Sequence, residues 1–77
     1  RFVVEPVDVN TLVTEMSALL RSAVTRRATL RHELAASLPP VEADATQLRQ
    51  VVMNLITNAS DAIGDRDGTI VLRTDVR

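Results

Sequence analysis

From Asp44 to Gly64 the apolar residues recur at spacings of three and four, the period of an amphipathic helix. Ala45, Leu48, Val52, Leu55, Ile56, Ala59, Ala62 and Ile63 share one arc at about 100° per residue, an arc expected to pack on a sheet. Asp44 with Gln47 three residues later resembles a capping box with Asp in place of Ser or Thr, and Gly64 stops the helix after about Ile63. A helix with one apolar arc needs a partner layer. The flanking segments supply one. Residues 1–5 form a short strand candidate before Pro6. Asp8 or Asn10 can cap a helix with Leu12, Val13, Met16, Leu19, Leu20, Ala23 and Val24 as its stripe. Arg26 and Arg27 follow where the helix dipole favours cations. From Ala28 to Leu34 the period changes to two, with Leu30, His32 and Leu34 on one face. Pro39-Pro40 breaks the chain, and residues 41–43 are at most a short strand. Residues 64–68 have turn chemistry, and Thr69 to Val76 is a β-branched strand with Ile70, Leu72 and Val76 to one side. This order predicts an α/β sandwich of the α+β class, with helices on one face of a mixed sheet.

Composition removes several functions from this scaffold. The 77 residues include no cysteine, no lysine and one histidine, so disulfide frameworks, zinc fingers, thiol nucleophiles, Walker lysines and Schiff bases are out. Ten acids against nine arginines give a net charge of −1, which indicates no strong attraction to nucleic acid or an anionic membrane. Phe2 is the one aromatic, which leaves no base-stacking platform. No apolar run approaches the roughly 18 residues of a membrane span, so direct membrane contact by the segment is not expected. The chain begins without methionine and ends within a strand-like run, which reads as an excised piece.

Beside its apolar arc, the long helix carries Gln47, Gln50, Asn54, Asn58 and Asp61, with Arg49, Met53, Thr57 and Ser60 placed on the outer face between. Asparagine costs roughly 0.5–0.7 kcal/mol in a helix relative to alanine, yet two stand mid-helix at i, i+4. Carboxamide oxygens are hard, neutral ligands suited to Mg²⁺ that keeps its waters and shares coordination with phosphates. By spacing alone they are equally polar positions at a helix margin.

The run Gln50-Val51-Val52-Met53-Asn54-Leu55-Ile56-Thr57-Asn58-Ala59-Ser60-Asp61-Ala62-Ile63 resembles the N-box of two-component sensor histidine kinases. Leu38 to Leu48 is similar to that family's approach to the helix, and Gly68 to Thr74 to the strand after it. Weaker similarity covers Phe2 to Leu20. The resemblance implies the N-terminal part, residues 1–77, of a catalytic domain with a partial Bergerat-type ATP-binding fold whose C-terminal half is missing. It implies Mg-ATP as cofactor. The residue matching Asn58 would coordinate Mg²⁺, that matching Asn54 would lie beside the phosphates, and that matching Asp61 would face the nucleotide. The implied parent transfers the γ-phosphoryl of ATP to a histidine and then to an aspartate of a response regulator. It would work as a cytoplasmic homodimer, whether or not it is anchored in the inner membrane, with its own dimerisation and phosphoacceptor domain as a further partner.

Two other readings stay open, a non-catalytic interaction module on the same scaffold and a hydrolytic, chaperone-like ATPase. Asn54 counts against hydrolysis, because a carboxamide cannot accept the proton that a general-base glutamate takes from water. His32 to Leu38 superficially resembles the H-box that carries a phosphoacceptor histidine, but Ser37 stands where proline is usual. His32 therefore reads as a partly buried strand histidine, and no catalytic residue is assigned within the chain. Its only glycines are Gly64 and Gly68, so the D-x-G-x-G adenine motif and the phosphate-cradling glycines are absent. Alone, the piece is expected to be inactive.

Overall fold

A computed structural model describes residues 2–76. Seven elements follow one another: β1 (Glu5–Val7), α1 (Val9–Glu15), α2 (Ser17–Ala23), β2 (Ala28–Glu33), β3 (Val41–Ala43), α3 (Ala45–Ile63) and β4 (Gly68–Arg73). The α+β class is as the periodicities require. Parallel and antiparallel pairing are both present, divided between two ladders: β2 lies parallel to β4, and β1 antiparallel to β3. The parallel pair is in register from Ala28 opposite Gly68 to Glu33 opposite Arg73. Its crossover passes through α3, which spans the distance that a parallel connection needs.

The core forms where the three helices meet the parallel pair. Leu20 is fully buried and Val13 is 1% exposed, with Leu12, Met16, Val52, Ile56 and Ile70 packed around them. Val7 brings β1 into the same cluster.

Several elements depart from the sequence reading, each for a local reason. The first strand is Glu5–Val7 rather than residues 1–5; Arg1 lies outside the described residues. Val7 pairs with Val41 and is buried, whereas Phe2, Val3 and Val4 are exposed. Pro6 is tolerated because a two-stranded ladder consists of edge strands. The first helix is interrupted at Met16, the C-cap of α1 and N-cap of α2. The Thr14 hydroxyl donates to the Asn10 carbonyl at 2.7 Å just before the break, a back-bond of the kind that competes with the helical ladder. Leu19, placed in the buried stripe by spacing, is 59% exposed. Because α2 ends at Ala23, Arg26 and Arg27 lie beyond its last turn, and Arg21 holds the dipole-favoured place. Arg27 instead pairs with Asp67 at 2.9 Å beside the start of the parallel ladder. The last strand ends at Arg73, not Val76, and Val76 is exposed.

That early end has a cause in Thr74. Its hydroxyl donates to Asn10 Oδ1 at 2.7 Å and accepts the Ala35 amide at 2.9 Å. Asn10 Nδ2 donates to the Ala35 carbonyl at 2.8 Å. Asp8 takes the capping role instead, accepting the Thr11 amide at 3.1 Å. Asn10 thereby ties α1 to the C-terminal ends of β2 and β4. Asn10→Ala leaves the Ala35 carbonyl and the Thr74 hydroxyl each short of a partner in a half-buried site. A loss of about 1–3 kcal/mol is expected. Urea midpoints of the wild type and Asn10→Ala measure it, and equal midpoints would refute the clamp.

The Asp44 carboxylate caps α3, accepting the Thr46 amide at 2.9 Å and the Gln47 amide at 3.2 Å. No returning bond from the Gln47 side chain is made among the described residues; Asp44 instead accepts the Val3 amide at 2.7 Å. The Val3 amide, then the Gln47 amide, holds the Asp44 carboxyl below its ordinary value. Glu33 is lowered in the same way, chiefly by Arg73 across the ladder at 2.6 Å and also by Arg31 at 2.7 Å. Carboxylates that ionise more readily when folded add stability above the unfolded range, and lose it as pH falls through their folded values. Thermal stability should therefore fall on acidification below about pH 4. Asp44→Asn keeps a capping oxygen but takes up no proton, so its acid-induced fall should be smaller. Identical pH profiles of melting temperature for the two proteins would contradict this.

Candidate functional site

The long helix has the predicted bounds, Ala45–Ile63, because both ends carry their own signals. Gly64 closes it at φ 60° and ψ −126°, a backbone region that side-chain-bearing residues avoid. Its buried face is rotated from the predicted arc by roughly 40° at 100° per residue. Val52, Ile56 and Ser60 are its buried residues, with Met53 and Ala59 half-buried beside them. Met53 and Ser60 were expected on the outer face. The Ser60 hydroxyl accepts the Thr25 amide at 2.8 Å, so this inward polar group is satisfied by the loop before β2. Leu55 and Ala62, expected inside, are exposed, Leu55 at 60%.

The rotation leaves the carboxamide stripe at the centre of the outward face. Gln47, Gln50, Asn54, Asn58 and Asp61 are all exposed. Among the described residues, the side chains of Asn54, Asn58 and Asp61 make no hydrogen bond or ion pair, so none serves as a cap or clamp here. The spacing of three and four places all three side chains on one face of a single rigid element, over two turns. Val51 at 52% exposed and Leu55 flank the stripe as an apolar margin, although Leu55 belongs to the arc expected to face the sheet.

Two neutral carboxamides and one carboxylate, free of internal partners, fit a magnesium ion that brings its own waters and phosphates. They do not fit an all-protein metal cage. No group of three or more His, Cys, Asp or Glu side chains converges among the described residues. His32 stands elsewhere, on β2, half-buried, with Nε2 buried and unpartnered. The structure does not bring it to the stripe.

Comparison with known proteins gives the stripe its context. The chain is 41% identical over 73 residues to a sensory histidine kinase/phosphatase NtrB of Rhizobium meliloti, a match covering 94% of this chain and 19% of that protein. It is 31% identical over 70 residues to NtrB of Azospirillum brasilense. With the sensor histidine kinase ZraS of Escherichia coli it shares 39% identity over 61 residues, 78% of this chain and 13% of that protein. The chain thus spans about a fifth or less of the length of these relatives. No family model matches the chain, and no solved structure matches it. The relatives are uniformly sensor histidine kinases, and the chain is homologous to one segment of them.

Proposed function

From this homology to a segment of sensor histidine kinases, we propose that the chain supplies the metal- and phosphate-facing helix of an ATP site in such a kinase. The observation that carries the proposal is the outward face of α3, where Asn54 and Asn58 stand one turn apart with no partner among the described residues. Asparagine at such positions weakens the helix, and it makes no compensating bond within the fold.

Asn58 Oδ1 would hold Mg²⁺, which supplies neutralisation of phosphate charge when bound. Asn54 Nδ2 can donate to a phosphate oxygen. Asp61 sits a turn further on, where its carboxylate can accept from a nucleotide group or an intervening water. Because the carboxamides are neutral, they orient these groups without repelling a polyanion. The work of such a helix is positioning, which is most of what phosphoryl transfer asks of a protein. The acceptor histidine, the adenine pocket and the response regulator's docking surface would lie in other parts of a dimeric protein working in the cytoplasm. No helix among the described residues is long and apolar enough to cross a membrane.

Asn54 favours transfer over hydrolysis, since it cannot serve as a general base. The intact protein incubated with γ-labelled Mg-ATP should therefore retain label as acid-labile phosphohistidine. Mass-spectrometric mapping should place it on a histidine other than His32, which is held on β2. Label released only as free phosphate would overturn the reading in favour of a hydrolase. Label on His32 would overturn the assignment of that residue.

A further inference from the structure

The parallel pair has an open side that the α3 stripe does not use. The Arg27 and Glu33 carbonyls accept the Gly68 and Thr74 amides, which fixes the residues of β2 that turn their backbone toward β4. By alternation these include Thr29 and Arg31, so the N–H and C=O groups of Leu30 and His32 point away from the ladder. Among the described residues nothing bonds them. An unpaired edge is ordinary in itself. This one is bordered by a trough.

Between the outer edge of β2 and the wall of α1 and α2 run two adjoining depressions. The larger, about 660 Å³, is lined by residues that include Arg21, Val24, Arg26, Ala28 and Leu30. The smaller, about 260 Å³, is lined by Thr14, Ser17, Arg21, His32 and Leu34. Arg21 lines both, so the two adjoin at its side chain and make up an interrupted channel alongside the strand. No carboxylate lines either depression. Arg21 and Arg26 are exposed and take part in none of the ion pairs among the described residues, although the chain as a whole is slightly acidic. The buried, unpartnered Nε2 belongs to His32, in the wall of the same channel.

We infer that this channel receives an extended, acidic peptide segment of a partner protein, which adds as a strand to the outer edge of β2. The free backbone groups of Leu30 and His32 supply the ladder. Apolar side chains alternating along the guest enter against Val24 and Leu34, and its acidic side chains meet Arg21 and Arg26. A strand edge facing a helix wall is a geometry that binds peptides through main-chain bonds, with side-chain pockets setting preference. The arginines set the sign of the charge and hasten encounter.

The test uses the full-length protein and labelled, end-blocked heptapeptides read by fluorescence anisotropy. One peptide alternates valine with glutamate, a second alternates valine with lysine, and two more are the glutamate peptide N-methylated at its odd-numbered or at its even-numbered amides. The glutamate peptide should bind at least about tenfold more tightly than the lysine peptide, because only its charge complements the arginines. One of the two N-methylation phases should abolish binding, since it removes the ladder donors. The double substitution Arg21→Glu with Arg26→Glu should reverse the charge preference, its fold being checked by thermal unfolding. The peptide arms use unaltered protein, so a misfolded variant does not rescue the idea. Equal binding of both charges, binding that survives both methylation patterns, or no binding at millimolar peptide would overturn it. So would sedimentation showing a dimer that the double substitution dissociates, which would assign the channel to a second copy of the chain.

Discussion

Asn58→Ala is expected to reduce autophosphorylation of the intact protein by about 10²–10³-fold, the scale of removing one preorganised charge-stabilising contact. The residue is exposed on α3 and its side chain has no bond to lose among the described residues, so alanine, a better helix former, should leave stability unchanged or slightly raised. Loss of activity with unchanged unfolding would separate a role in the site from a structural one. Asn54→Ala should be milder, since a donor beside a phosphate can be partly replaced by water. Near-normal phosphorylation by folded Asn58→Ala would refute the assignment of the metal-facing oxygen.

The second large effect is on stability. Leu20 is fully buried where α2 meets α3, beside Val13 at 1% exposed. Leu20→Ala removes three carbons from a packed site and leaves a cavity, which costs about 2–5 kcal/mol. A chain of 77 residues has a total of roughly 4–12 kcal/mol at about 0.05–0.15 kcal/mol per residue. The substitution should therefore lower the melting temperature by at least ~10 °C or leave the segment unfolded. A change within ~2 °C would show that the helices pack through other residues. Leu19→Ala, one position away but exposed, should be nearly neutral.

The contrast between Leu19 and Leu20 shows where reading the sequence stops. Both belong to the helical stripe read from Leu12, yet Leu20 faces the core and Leu19 the solvent. The break at Met16 between α1 and α2 likewise has no counterpart in that stripe. In α3 the ends were legible because Asp44 and Gly64 act locally, through capping and a positive φ. The direction of its buried face was not. Ser60 points inward because the Thr25 amide, 35 residues away, needs an acceptor there. The carboxamide stripe was legible for the opposite reason: Asn54 and Asn58 oppose helix propensity and serve no cap. The trough beside β2 has no sequence signature, since the arginines and the β2 residues that line it come from segments several positions apart, with nothing local to join them.

The claim that α3 presents a metal-dependent phosphate site is tested most directly by calorimetric titration of the intact protein with ATP, with and without Mg²⁺. Wild type and Asn58→Ala are compared under both conditions. Binding by the wild type should tighten markedly with Mg²⁺, and in Asn58→Ala most of that magnesium-dependent gain should vanish while the magnesium-free affinity changes little. An equal magnesium effect in both proteins would contradict the account.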